Sequence, residues 1–491
     1  MNNSGCRTGR PVSNLQARSL VVRAAAALLP VLALASVTTT SLGVRSARAE
    51  TMSGALVRAY GTNPDLNQER AGVRAQDENI PRATSAYRPT VTATGQYGYN
   101  YLSAQEPGAL LGLKSGSVSY RENTEPGTLG LTVTETIFNG NRNYNSVRQA
   151  ETNVLGARET LRNTEQTVLQ NGATAYMDVL RDTAILDLRK NNIIVLEEQL
   201  RQTRDRFNVG EVTRTDVAQA ASSLASARSD YFTAQANLQT SIANYHQVIG
   251  VDPTHLDPAR SVEALLPPTL GEAINVALAQ HPEVQAALQQ VDSAELQVKL
   301  IEGELLPTVT VSGQVQQNYN YSGIPGYKSF NGTVFGEVSV PIYTGGEVDA
   351  RVRQAKELLS QAELQADLQR TQVRSSVVSN WGLLDSAKAV IVSDQSAVKA
   401  AEIALEGVRE EARVGQRTTL DVLNAQQTLL NARVSLVSAQ RDRVVASYAT
   451  LGAVGELSAD MLGLDVVRYD PTVHFNQVKD KWIGLRTPDG R

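Results

Sequence analysis

Two periods alternate along this chain. Four short segments switch between apolar and polar residues almost step by step, and the long stretch after each pair of them repeats apolar residues at seven-residue intervals. A period of two marks a β-strand with unlike faces; a period near 3.5 marks a helix packed on other helices. In the first segment Val91, Ala93, Tyr97, Tyr99 and Tyr101 share one face, and Thr90, Thr92, Thr94, Gln96 and Asn100 the other. In the second, Leu129, Leu131, Val133 and Ile137 alternate with Thr128, Thr132, Thr134 and Thr136. Val309, Val311, Val315, Tyr319 and Tyr321 then oppose Thr310, Ser312, Gln314, Gln316 and Asn318. Finally Phe330, Val334, Val338, Val340 and Ile342 oppose Asn331, Thr333, Glu337 and Ser339. Glu135 on an apolar face and Phe335 on a polar one break the pattern. The predicted strands are about 89–101, 128–138, 307–321 and 329–343. A membrane strand needs about 9–11 residues, apolar outward and polar inward, with aromatics near the interfaces. The segments meet that description, and their tyrosines lie near the loop ends. A water-soluble β-sandwich edge shows the same alternation, but two matched hairpins of lipid length favour the membrane.

The long stretches, Gly140–Asn208 and Gly345–Arg413, contain no proline. As helices each is roughly 100 Å long. In the first, Val147, Val154, Leu161 and Val168 keep the seven-residue period, which resumes after a phase shift at Val179, Leu186, Ile193, Leu200 and Phe207. Shorter helical patterns cover Ser53–Tyr87 with Arg214–Gly250, and Gly271–Leu305 with Thr418–Val454. Each pair, placed end to end, matches a long helix in length. The plan is one continuous helix against two stacked half-length ones, with a β-hairpin at one end and a tight turn at the other.

The chain is written twice. Phe207–Arg228 and Ala412–Arg433 are identical at nine of 22 positions at an offset of 205. The same offset pairs Phe138-Asn139-Gly140 with Tyr343-Thr344-Gly345, and Val147–Ala150 with Val352–Ala355. Upstream the offset is 218, pairing Pro89-Thr90-Val91-Thr92 with Pro307-Thr308-Val309-Thr310 and Asn63-Pro64 with His281-Pro282. The first copy therefore carries extra sequence between Gly95 and Leu131, with turn signals at Glu106-Pro107-Gly108 and Glu125-Pro126-Gly127. The division is a leader over 1–49, a first repeat over 50–250, a linker over 251–270, a second repeat over 271–454 and a polar tail over 455–491.

The leader changes the charge. Arg7, Arg10, Arg18 and Arg23 precede an apolar stretch from Ala24 to Ala35, and Ala47-Arg48-Ala49 offers a small-residue cleavage site before Glu50. A membrane anchor is the other reading, weakened by Pro30 in a stretch already short for a span. The leader holds six arginines and no acid, so of 46 basic residues 40 remain against 50 acidic ones, a net charge of −10. Cys6, the single cysteine, leaves with it. That balance does not suit a nucleic-acid binder. Four scattered histidines leave little for a metal centre, and no nucleophile elbow or phosphate-binding glycine loop appears. No catalytic residue, cofactor or metal is expected.

Four strands cannot close a barrel in lipid, because unpaired edge groups cost several kcal/mol each. Bacterial barrels start at eight strands, so at least two copies are needed, and an eight-stranded interior largely fills with side chains. Three copies leave room for water. A coiled-coil scaffold that uses its repeats only for assembly is the competing reading, but it has no use for such hairpins.

At this point the chain resembles the TolC family of outer membrane efflux proteins over nearly all of its mature length. The resemblance rests on the duplicated plan, on Asn63-Pro64, on Leu306-Pro307-Thr308-Val309-Thr310-Val311, on Pro341–Gly346, and most specifically on Val414–Leu423. It implies a mainly α fold with a membrane β-barrel portion: a homotrimer whose twelve-stranded barrel in outer-membrane lipid continues as a twelve-helix periplasmic tunnel. It also implies a passive exit duct for efflux or type I secretion, coupled by a periplasmic adaptor protein to a proton-driven (RND) or ATP-driven (ABC) inner-membrane transporter. By motif match, Asp421 falls on an acidic ring at the periplasmic mouth, Arg417 on an arginine linking neighbouring helices, and Thr215 and Asp216 on its partners. Asn424 stands where a second ring aspartate is usual, and Ala412 where a linking tyrosine is. The tips Val209, Gly210, Glu211, Val414, Gly415 and Gln416 would meet the adaptor. The residues also fit local roles: Gly210 and Gly415 as left-handed helix caps, and Thr213-x-x-Asp216 and Thr418-x-x-Asp421 as capping boxes. His281 reads as a helix-entry residue, and Trp381 and Trp482 as packing residues.

Overall fold

The computed structural model describes residues 50–107, 116–320 and 325–490. The leader, Gly108 and Tyr321 lie outside the described residues. Prolines decide where the first helices break. α1 (Met52–Thr62) stops at Asn63, whose extended backbone precedes Pro64, and α2 (Pro64–Asp77) starts there with the Asn63 side-chain Oδ1 accepting from the Asp65 and Leu66 amides. α3 (Asn79–Thr84) leads into the sheet. The single helical pattern read over Ser53–Tyr87 is thus three helices.

The predicted strand 89–101 is likewise two. β1 (Thr90–Tyr97) ends at Gly98, whose amide bonds the Pro126 carbonyl; β2 (Asn100–Pro107) and β3 (Ser117–Thr124) form a separate two-stranded ribbon; β4 (Gly127–Asn139) returns beside β1. The extra sequence of the first copy is therefore an extension of the hairpin, bent away at Gly98 and Pro126. α4 (Arg142–Asn208) and α5 (Arg214–Ile249) complete the first copy. α6 (Leu270–Gln280) and α7 (Pro282–Glu302) repeat the proline break, with His281 Nδ1 accepting from the Glu283 amide where Asn63 stands in the first copy. β5 (Thr308–Tyr319), β6 (Lys328–Ser339), α8 (Glu347–Arg413) and α9 (Thr419–Val454) follow, then α10 (Pro471–Val478). β6 stops before Pro341, which has no amide for a ladder, so Val340 and Ile342 lie beyond the strand.

The main sheet has the order β1-β4-β5-β6, antiparallel throughout. Its register sorts residues by chemistry: Leu131 faces Ala93 and Val315 on one side, while Thr132 faces Thr92 and Gln314 on the other, and the exceptions are Glu135 opposite Val311 and Phe335 opposite Ser312. A bulge at Ile137 restores Phe138 opposite Val309. Among the described residues no helix is long and apolar enough to cross a membrane.

The largest core sits at mid-height, where α1, α2, α4, α5 and α9 meet around Leu56, Leu169, Tyr176, Tyr245, Ile249 and Leu451. The hydroxyl of fully buried Tyr176 lies 2.7 Å from the carbonyl oxygens of both Glu50 and Asp257, pinning the inter-repeat linker to α4. The tail is not merely polar. Leu457, Ala459 and Leu464 join this core, and α10 packs along α2 through a 2.9 Å contact between His474 Nδ1 and buried Asp77. Trp381 packs against the cluster of Val373 and Val377, whereas Trp482 is 69% exposed and lies outside the core, with one ring face under the Arg88 guanidinium.

Candidate functional site

The two long helices end in the same device. At α4, Gly210 takes φ +84°; its amide bonds the Phe207 carbonyl and the Glu211 amide bonds the Arg206 carbonyl. At α8, Gly415 takes φ +82°, with the Gly415 amide on Ala412 and the Gln416 amide on Glu411. Both are Schellman caps, in which a left-handed glycine lets two amides turn back on the last carbonyls. Three residues on, each return helix starts with a capping box. The Thr213 amide donates to Asp216 Oδ2 at 2.9 Å and the Asp216 amide to Thr213 Oγ1 at 3.3 Å; for Thr418 and Asp421 the distances are 3.0 and 3.2 Å. Both hydroxyls also donate to the carboxylates.

These bonds set the charge. The Thr418 amide and hydroxyl, then the nearby Arg417 guanidinium, hold the Asp421 carboxyl below the usual carboxylate range. For Asp216 the Thr213 hydroxyl and then its amide do the same. Both carboxylates are ionised at neutral pH. Arg417 is exposed and bonds Glu411 of its own turn at 2.8 Å. Among the described residues, its hydrogen-bond partner is Glu411 rather than Thr215 or Asp216. Thr215 is exposed at the start of α5. Val209 and Val414 cap the two apices at 75% and 70% exposure, flanked by exposed Gly210, Glu211, Gly415 and Gln416.

The hairpins lie side by side. Leu423 of α9 enters the cluster of Leu196, Leu200, Ala220 and Leu224, and buried Gln426 reaches Asn192 at 3.4 Å. Asn424 is exposed and lines a polar cleft with Ser223, Ser226 and Asp230. Glu411 and Arg206 escaped sequence reading. Their signal was opposite charge on either side of each glycine, at Arg206/Glu211 and Glu411/Arg417.

At the other end the sheet has a wet face and a greasy one. Along the wet face Gln314 donates to Gln316 at 3.0 Å, Gln316 to Asn318 at 2.7 Å, and Asn318 to Ser329 at 3.2 Å. The opposite face exposes Val91, Leu129, Val334 and Val338. Tyr97 and Tyr319 stand at one rim; at the other, where strands become helices, Tyr87, Tyr144 and Tyr343 are exposed. This second rim was also missed, because its tyrosines fall outside the alternating segments. Among the described residues no acidic, histidine or cysteine cluster could hold a metal.

A sheet apolar on one face and hydrogen-bonding on the other, carried on helices of roughly 100 Å, defines an outer membrane channel-tunnel. The family model described as outer membrane efflux protein matches residues 55–251 and 273–456. The outer membrane efflux protein BepC of Brucella suis biovar 1 (strain 1330) is 43% identical over 452 residues, covering 92% of this chain and 95% of that one. The outer membrane protein TolC of Escherichia coli (strain K12) is 27% identical over 444 residues, 85% of each chain. The crystal structure of the Campylobacter jejuni CmeC outer membrane channel shares the fold, with a TM-score of 0.72 at 16% identity over 87% of this chain and 89% of that one. The chain belongs to the outer membrane efflux protein family. It is a transport duct of the outer membrane with a helical periplasmic tunnel, serving efflux or type I secretion, and not an enzyme.

Proposed function

We propose that three copies close into one tube, the passive exit of a tripartite pump. A periplasmic adaptor protein meets its hairpin tips and connects it to an RND or ABC inner-membrane transporter. The edges of β1 and β6, unpaired among the described residues, carry this reading. By the internal repeat β6 corresponds to β4, and β1 to β5, which do pair. An open edge in lipid costs several kcal/mol per unmet group. The β4–β5 register supplies the missing seam. Thr134 opposes Ser312 with their hydroxyls 3.4 Å apart, so Ser339 of one copy opposes Thr94 of the next.

In this assembly residues 1–49 are the export signal, 50–250 and 271–454 the two repeats, 251–270 their linker and 455–491 a periplasmic tail. Asp421 forms a single acidic ring at the mouth, with Asn424 one turn further along α9. Arg417 links to Thr215 and Asp216 of the adjoining hairpin, and Val209, Gly210, Glu211, Val414, Gly415 and Gln416 receive the adaptor.

Opposed strand residues have Cα atoms about 4.5–5.5 Å apart, within disulfide range. Thr94→Cys with Ser339→Cys, oxidised in membranes, is expected to give a ladder ending at the trimer on a non-reducing denaturing gel. A ladder ending at the dimer, or monomer alone, would reject the trimeric tube.

A further inference from the structure

After α9 the tail does not trail away. It climbs α2 toward the sheet through a series of fastenings. Tyr469 stacks on Arg70, which is itself 4.5 Å from the Tyr60 ring, and the Tyr469 amide bonds the Tyr60 hydroxyl. His474 meets Asp77, and Arg158 lies over the Phe475 ring. At the top, Arg88 Nη1 donates to the Lys481 carbonyl at 2.9 Å, and its guanidinium covers the Trp482 ring at 4.5 Å. The strap then reverses at Gly484, at φ +119°, and Asp489 comes back to Arg74 at 3.9 Å.

Arg88 stands two residues before β1. The strap therefore lifts its apex to the level where strands become helices. The apex gathers three large exposed apolar side chains within four residues, Trp482 at 69%, Ile483 at 90% and Leu485 at essentially full exposure, whereas Val467 lower on the strap is exposed singly. Lys481 and Arg486 flank them, and Asp480 is the nearest acid in sequence. An ordered loop that shows water a tryptophan and two large aliphatics between cations has the composition of an interfacial anchor. Trp sits at the headgroup level, aliphatics enter the acyl boundary, and Lys and Arg meet anionic headgroups. The exposed Tyr87, Tyr144 and Tyr343 already mark that level.

We infer that the 482–485 apex docks into the periplasmic leaflet of the membrane its own barrel spans, as a second lipid contact of each subunit. Its occupant is a phospholipid surface with anionic headgroups. The inference rests on the membrane-spanning reading of the sheet, and the test separates the two.

Trp381→Phe leaves Trp482 as the sole tryptophan. This variant is reconstituted into vesicles of phosphatidylethanolamine and phosphatidylglycerol with acyl chains brominated near the headgroup. Trp482 emission is expected to fall roughly two-fold or more, as for an indole at the interface, and less when the bromines lie deeper. In parallel, Val334→Trp in a Trp381→Phe/Trp482→Phe background reports the greasy face of β6. Trp482 unquenched beside a quenched Val334→Trp overturns the anchor alone, whether its emission is that of indole in water or of indole packed against another subunit. Both unquenched overturns the membrane reading and the anchor with it.

Discussion

Arg417 Nε bonds Glu411 Oε2 at 2.8 Å across the glycine turn of the second hairpin. The first hairpin makes the same bridge with the charges exchanged, Arg206 on the helix and Glu211 in the turn, also at 2.8 Å. An arginine suits a helix C-terminus and a glutamate does not, so Glu411 is held there by its cation. Arg417 thus has an intramolecular partner that competes with any link to an adjoining hairpin. Glu411→Gln should free Arg417 and tighten the closed entrance, while Arg417→Ala should loosen it. Exposed ion pairs are weak, so the expected changes are roughly two-fold in single-channel open probability, down for the first and up for the second. Changes of the same sign in planar bilayers would remove the competition.

Asp421 has a capping role and a proposed electrostatic one, and Asp421→Asn separates them. Asparagine still accepts from the Thr418 amide but carries no charge. The variant should keep the thermal stability of the parent and lose much of its cation preference in reversal-potential measurements. Unchanged preference would leave capping as the sole role.

The same carboxylate fixes a pH dependence. Its value in the fold is lowered by Thr418 and then Arg417. Its contribution is therefore complete above the ordinary aspartate value, about 3.9, and lost only as pH falls through the lowered one. Cation preference should stay flat from pH 7 to about pH 5. A decline already under way by pH 6 would mean that repulsion among the ring carboxylates outweighs the cap.

His281 behaves in the opposite chemical sense with the same sign. Burial lowers its imidazole below the usual histidine range, and the neutral ring accepts the Glu283 amide. Stability is then full above the unfolded-state value, about 6.5, and falls as pH drops through the lowered value, where the ring must take a proton and surrender the cap. Asn63 does the same job in the first copy without titrating. His281→Asn should keep the start of α7 and flatten the loss of melting temperature between pH 7 and 5. An undiminished loss would assign the acid sensitivity elsewhere.

Gly140 and Gly345 are equivalent by the repeat, at φ +70° and +71°, yet a Cβ on Gly140 would fall 2.1 Å from the Gly303 carbonyl oxygen while one on Gly345 meets nothing within one chain. The repeat counterpart of Gly303 is Ser85, which the trimeric reading puts against Gly345 from the next copy. Gly140→Ala should destabilise each subunit by on the order of 3 kcal/mol or more. Gly345→Ala should cost the subunit only the left-handed strain, about 1–2 kcal/mol, and weaken assembly, read as loss of the trimer band on unheated gels with helix content retained.

Much of this architecture was legible because periodicity reports faces before any partner is known. Leu131 and Thr132 declare opposite sides of a strand whatever strand lies beside them, and Val154, Leu161 and Val168 declare a helix seam. The break at Gly98 was hidden because Tyr97, Tyr99 and Tyr101 carry the alternation straight across it. The strap was hidden because its anchors, Leu457, Leu464, His474 and Trp482, are too sparse to form a period. Each is held by a residue hundreds of positions away.

The hairpin caps were readable down to Thr213, Asp216, Thr418 and Asp421, since capping is decided within four residues. The Arg417–Glu411 bridge was not, because its geometry depends on the left-handed turn at Gly415. The sequence by itself determined the repeat, the two-faced strands, the long helices and their caps, all of which follow from neighbours along the chain. Only the tertiary structure decided where the C-terminal strap lies, which cation each tip carboxylate holds and which strand edges stay open. Those depend on distances between residues far apart in sequence, and chain-local pattern carries no record of such distances.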